Sequence, residues 1–107
     1  MFNKLILVGY VGKVPEMRFT PDGKAVTKFT VATDEGYGDT KRTLWFNITT
    51  WEKLAEVCNE HVYKGMRVLI EGKLTEPGAW INKEDSLPRA SLEVTANVVK
   101  FLSDKQE

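Results

Sequence analysis

The sequence predicts an all-β chain with one helix: a five-stranded Greek-key barrel, with the helix between strands three and four. Three observations predict it. Apolar and polar residues alternate with period two over most of the chain, which is the pattern of strands with one covered face. Turn residues, Gly and Pro among them, separate those runs. One stretch, residues 52–65, instead spaces its apolar residues by three and four.

Asn3 to Val11 is a run of Leu, Ile and Val with Leu5 and Leu7 on one face and Ile6, Val8 and Tyr10 on the other. A strand that is apolar on both faces needs cover on both. The second cover is either a partner chain or an internal helix. Leu5, Ile6, Leu7, Val8 and Tyr10 are therefore candidates for an interface between copies. Met17–Thr20 leads through Pro21-Asp22-Gly23-Lys24, where Pro fixes φ and Gly supplies φ > 0. The long strand Ala25–Asp34 follows, with Phe29 and Val31 on one face and Lys28 and Thr30 on the other. Asp34 to Lys41 reads as a polar loop around Gly36-Tyr37-Gly38. Arg42–Thr50 is the third strand, with Leu44, Phe46 and Ile48 on its inner face.

The helix carries Leu54, Val57, Cys58, His61 and Val62 on one side. Thr49 or Thr50 can cap it, and Thr49-x-x-Glu52 fits a capping box. Gly65 is expected to end it as a left-handed cap after Lys64. Arg67–Thr75 is the fourth strand, with Val68, Ile70 and Leu74 on one face. Glu76–Pro88 reads as a long loop holding Trp80. The last strand, Arg89–Phe101, sets Leu92, Val94, Ala96 and Val98 against Ser91, Glu93, Thr95 and Asn97. Residues 1–102 make one domain, and 103–107 a short polar tail. Three strands, a helix and two strands are the layout of the OB-fold, a partly open Greek-key barrel. Its helix plugs one barrel end.

Composition excludes several functions. One cysteine, Cys58, rules out a disulfide framework and a cysteine-cluster metal site. A lone histidine, His61, argues against a zinc site. No apolar run reaches the ~18 residues of a membrane span. The first eleven residues make a poor secretion signal, so a cytoplasmic protein is expected. No catalytic group, metal or cofactor is expected. Glycine-rich phosphate loops and nucleophile elbows are absent. Glu84-Asp85 reads as a solvated loop pair, and Cys58 as a small core residue. His61 reads as a helix-end residue.

The aromatics are more informative. Phe46 points inward with Leu44 and Ile48, so its neighbour Trp45 must point outward beside Asn47 and Thr49. Trp51 shares that parity if the strand persists so far. Tyr37 and Trp80 fall in polar loops. Each alone could be a lid on an aliphatic patch or a turn residue. Together they suit single-stranded nucleic acid, since every base has a π-face and stacking contributes ~1–3 kcal/mol per base. Lys4, Lys13, Arg18, Lys28, Arg42 and Lys73 are the candidate phosphate contacts. The formal net charge of zero argues mildly against such a partner. The charge is unevenly placed, however. Residues 1–51 hold seven Lys and Arg against five Asp and Glu, whereas 52–65 hold two against three.

These residues also resemble a known family. The run Asn3-Lys4-Leu5-Ile6-Leu7-Val8-Gly9, Pro15-Glu16-Met17-Arg18-Phe19 with Pro21-Asp22-Gly23, and Phe29-Thr30-Val31-Ala32-Thr33 are similar to bacterial single-stranded DNA-binding proteins. So are Trp45, Trp51-Glu52-Lys53-Leu54-Ala55-Glu56-Val57, Lys64-Gly65 and Ile70-Glu71-Gly72-Lys73-Leu74, over about residues 2–101 in all. The resemblance implies an OB-fold that binds single-stranded DNA in replication, repair and recombination. It implies base stacking on Tyr37, Trp45, Trp51 and Trp80, and a cytoplasmic, nucleoid-associated homotetramer with the first strand in its interface. Phe46 replaces a frequent His at a subunit contact, and Asn47 a frequent basic residue. The family's acidic tip is missing after Ser103-Asp104-Lys105-Gln106-Glu107, so recruitment of partner proteins through such a tip is not expected. Two competing readings are a replication-restart adaptor of the same fold, acting mainly through protein contacts, and an unrecognised enzyme whose only support is Glu84-Asp85, which a metal-dependent nuclease assay would test.

Overall fold

A computed structural model describes residues 1–103. Along the chain come β1 (Leu5–Val11), β2 (Glu16–Phe19), β3 (Ala25–Glu35), β4 (Arg42–Trp51), α1 (Glu52–His61), β5 (Arg67–Leu74), β6 (Gly78–Ile81) and β7 (Pro88–Phe101). Hydrogen-bonded neighbours run β1-β5-β7-β4-β3, and β1 returns to β3 through Tyr10↔Ala32 and Val11↔Val31. That return closes a five-stranded barrel, consistent with the OB-fold. β4 and β7 are parallel and the other pairs antiparallel. β2 resumes the path of β1 along β3 after a break at residues 12–15. Closure needs a small residue at Gly9, where a Cβ would lie 2.2 Å from the Ala32 carbonyl oxygen.

Alternation puts Leu7, Val11, Phe29, Val31, Ile48, Val68, Ile70 and Val94 inside the barrel. Cys58 and the following Val62 close one end, with Leu54 packed beside them, as the apolar stripe predicts; Ala55, outside that stripe, is buried too, and His61, expected on it, is exposed. The Pro21-Asp22-Gly23 turn forms as expected, with Gly23 at φ +85°. Two buried hydroxyls fasten the plug. Thr50 Oγ1 donates to the Thr27 carbonyl at 2.9 Å, and Thr27 Oγ1 to the Ala55 carbonyl at 2.7 Å.

Four local expectations are corrected. The Thr49–Glu52 capping box does not form. Strand pairing continues through Trp51, which becomes the N-cap, and it holds Thr49 opposite Lys28. Gly65 does not cap the helix. The helix ends at His61, Val62 turns extended into the core, and Gly65 (φ +89°) sits in the following turn with its N–H on the Val11 carbonyl.

The expected 76–88 loop is mostly a hairpin. Gly78–Ile81 pairs with residues 88–91 across a turn in which Asn82 and Asp85 accept backbone N–H groups. Finally, the alternation of β7 changes phase at Asn97, where its pairing with β5 skips a residue. Val99 rather than Val98 therefore packs on the core. The expected tail begins with a tether: Ser103 Oγ accepts the Arg67 N–H at 2.8 Å. The rest of that tail, 104–107, lies outside the described residues.

Candidate nucleic-acid interface

Ile48 is buried, and Phe46 and Leu44 are half-buried on the same side, so Trp45, Asn47, Thr49 and Trp51 project from the opposite side of β4. β4 persists to Trp51, so all four share one face. Register places Ala32, Thr30, Lys28 and Val26 of β3 beside them. On the other flank, Glu93 and Thr95 of β7 lie beside Asn47 and Thr49. Lys73 faces Thr95, and Glu16 faces Lys28. One polar row thus crosses the sheet as Glu16–Lys28–Thr49–Thr95–Lys73. Its neighbour is Thr30–Asn47–Glu93.

Trp80 of β6 is paired with Arg89, which has the outward parity of Ser91 and Glu93 on β7. The three tryptophans therefore border one continuous outer surface, 54%, 43% and 50% exposed at Trp45, Trp51 and Trp80. One glycine seats a ring: a Cβ at Gly12 would lie 2.3 Å from the Trp45 ring. Tyr37 stands at the tip of the β3–β4 loop, almost wholly exposed. A short helical turn over Gly38–Thr40 supports it, with the Thr40 hydroxyl donating to the Tyr37 carbonyl at 2.7 Å.

Around Lys28 and Asn47 lies an open cavity of about 380 Å³, lined also by Lys13, Glu16, Thr30 and Glu93. Asn47 Nδ2 donates to Glu93 Oε2 at 2.8 Å. That bond first, then one from Ser91, hold the Glu93 carboxyl below its ordinary pKa against the opposing effect of burial, with the nearby Lys28 charge adding the least.

The structure gathers some expected phosphate contacts and not others. Lys13, Lys28 and Lys73 belong to this face. Arg18 lies opposite Val26, which adjoins Trp51, and it ion-pairs with Glu16 at 3.5 Å. Lys4 does not join them. It has the parity of Ile6 and Val8 on another face and ion-pairs with Glu71 at 3.1 Å. Arg42 has the parity of Leu44 and Phe46 and lies opposite Glu35 at the strand end, so it too stands apart. Arg89 is a member absent from the expected phosphate contacts, although it opens the predicted last strand. Extending the Ser91, Glu93, Thr95 series back by one step reaches it. It forms an ion pair with Asp85.

On β1, Ile6, Val8 and Tyr10 are exposed together. Leu7, by contrast, is a core residue and Leu5 packs against the core, so these two do not belong to an outer interface. Cys58 is fully buried, and burial pushes its thiol up to about 11 despite a hydrogen bond with Thr50. Among the described residues, no three of His, Cys, Asp and Glu are placed to hold a metal. No helix among them is long and apolar enough to cross a membrane.

Comparison with known proteins agrees with this geometry. The single-stranded DNA-binding proteins of Neisseria meningitidis serogroup A and serogroup B are each 37% identical over 110 residues, covering 98% of this chain and 62% of theirs. Single-stranded DNA-binding protein 1 of Chlorobaculum tepidum is 35% identical over 108 residues, covering 96% of this chain and 66% of its own. The chain thus spans a little under two thirds of the length of these relatives. None of the three is described as a restart adaptor. The profile of the single-strand binding protein family matches residues 2–102, essentially the whole barrel, and this chain belongs to that family.

Proposed function

We propose that the chain binds single-stranded DNA without dependence on base order, protecting unwound strands in replication, repair and recombination. The observation that carries this is the placement of Trp45, Trp51 and Trp80 around one outer surface that also presents Lys13, Lys28 and Lys73. Bases stack on the indoles, with Tyr37 reaching in from its loop, and the lysines neutralise phosphates. Stacking carries much of the affinity, because Glu16 and Glu93 dilute the positive charge of the groove. Residues 1–102 act as one binding domain in the cytoplasm.

The exposed Ile6, Val8 and Tyr10 support self-association, with a homotetramer as the expected assembly. Titration with oligo-dT tests the binding directly, since three tryptophans report stacking. Quenching of their fluorescence at low salt is expected, and its absence would overturn the proposal.

A further inference from the structure

We infer that Arg89 is the phosphate contact that accompanies Trp80, and that Asp85 occupies it as an internal phosphate mimic until a strand displaces it. The inference rests on the proposal that this face binds single-stranded DNA, and it adds a built-in competitor to that site.

Trp80 on β6 and Arg89 on β7 are direct cross-strand partners. Opposed residues of an antiparallel pair share a face, with Cβ atoms ~5 Å apart. The base and phosphate of one nucleotide are joined through a single sugar, so a base stacked on Trp80 carries its phosphate into the neighbourhood of Arg89. An arginine suits that group, because its planar fork of N–H donors matches phosphate oxygens. Lys13, Lys28 and Lys73 all lie outside this hairpin, so Arg89 is the cation paired with this indole.

In the free protein the guanidinium is already engaged. Its Nη2 donates to Asp85 Oδ2, and its Nη1 donates to the Pro88 carbonyl at 3.2 Å. Asp85 is held from its other oxygen, since Oδ1 accepts the Leu87 N–H at 3.0 Å. The turn around it is pinned as well. The Ser86 N–H donates to the Asn82 carbonyl and the Asn82 N–H to the Leu87 carbonyl, both at 2.8 Å. The carboxylate therefore meets the guanidinium from a fixed position, with the negative charge and acceptor oxygens that a phosphate would bring.

The contact is also open to exchange. Both side chains are 41% exposed, so an arriving strand can reach the guanidinium. Solvent screens a pair this exposed and keeps it weak. Glu84, the adjacent acid of the same turn, provides the contrast: it is exposed and makes no ion pair among the described residues.

The test uses that contrast. Asp85→Asn removes the charge and keeps an oxygen for the Leu87 N–H. It should tighten oligo-dT binding at low salt by about two- to fivefold, the span of an exposed ion pair. Glu84→Gln removes an equal charge from the same turn and should do clearly less. In an Arg89→Ala background, the gain from Asp85→Asn should fall to that of Glu84→Gln. On the unaltered protein, oligo-dT should move the carboxyl-carbon NMR signal of Asp85 more than that of Glu84, a readout that requires no variant to fold. A gain no larger than that of Glu84→Gln, a gain that survives Arg89→Ala, or an unmoved Asp85 signal would overturn the inference while leaving strand binding intact. Weaker binding by Asp85→Asn would overturn it too, because Asp85 would then be holding Arg89 in place for the strand. Failure of the unaltered protein to bind oligo-dT would instead overturn the strand-binding proposal and this inference with it.

Discussion

The outer sides of β1 and β4 arise from the same alternation and carry opposite contents. β1 presents Ile6, Val8 and Tyr10, apolar at every step. β4 presents Trp45, Asn47, Thr49 and Trp51, with hydrogen-bonding groups interleaved between large rings. A largely apolar stripe is complemented by another apolar face, and covering side chains such as Ile6 and Val8 contributes roughly 1.5–3 kcal/mol each. A face of rings and polar groups is complemented by a ligand with π-faces and polar edges. The barrel thus separates assembly from recognition by which strand turns which residues outward. Two lysines divide accordingly: Lys4 is tied to Glu71 on the β1 side, and Lys28 sits in the groove.

The largest effect should come from breaking the β1 face. Ile6→Asp with Val8→Asp places carboxylates where the proposed interface excludes water, an arrangement that costs more than about 4 kcal/mol per subunit. Light scattering should show the mass falling from an oligomer to the 12.1 kDa monomer, while oligo-dT still quenches the tryptophans. An oligomer that survives both substitutions would assign assembly to another surface. The next largest effect belongs to β4 and its neighbour. Trp45→Ala or Trp80→Ala should weaken strand binding by about 1–3 kcal/mol, by the same factor for every base composition, with the oligomeric mass unchanged. A loss confined to one composition would mean that the indole reads bases rather than stacking on them.

Much of this division was legible in the sequence because parity is a local property. The adjacency of Trp45 and Phe46 suffices to send one ring outward, and Ile6, Val8 and Tyr10 needed only their spacing. What stayed hidden depended on pairing with distant residues. Ala79-Trp80-Ile81 is too short to read as a strand, and its partner lies in residues 88–91 across a turn built from Asn82 and Asp85. The phase change at Asn97 comes from pairing with β5, so local alternation gives no sign of it. Thr49 looked like a cap because its competing role, facing Lys28 on β3, is a long-range contact. Lys4 and Arg42 were grouped with the groove lysines by charge, which says nothing about which face a strand residue takes.

A smaller effect should separate charge from stacking within the groove. Lys28→Ala removes one proposed phosphate contact, so the slope of log affinity against log salt should fall by about one. Trp45→Ala should leave that slope unchanged. If Lys28→Ala leaves the slope unaltered, the strand backbone runs elsewhere, with Lys13 or Lys73 the next to test.

The smallest effect concerns Glu93, where the polar content of the β4 face is finely set. Its pKa in the folded protein is lowered, chiefly by the hydrogen bond from Asn47. The ionised carboxylate therefore stabilises the fold above its ordinary unfolded pKa, and that contribution is lost as pH falls through the lower folded value. Asn47→Leu deletes the leading cause, so the pKa should move up towards its ordinary value and the pH-dependent contribution to stability should shrink. Carboxyl-carbon NMR titration of both proteins measures the shift without requiring DNA. The contribution to stability is small because the group remains largely hydrated and solvent screens it. An unchanged pKa in the variant would assign the shift to Ser91 and Lys28. It would also mean that the Asn47 amide, although within hydrogen-bond distance, contributes little to holding the Glu93 carboxylate charged.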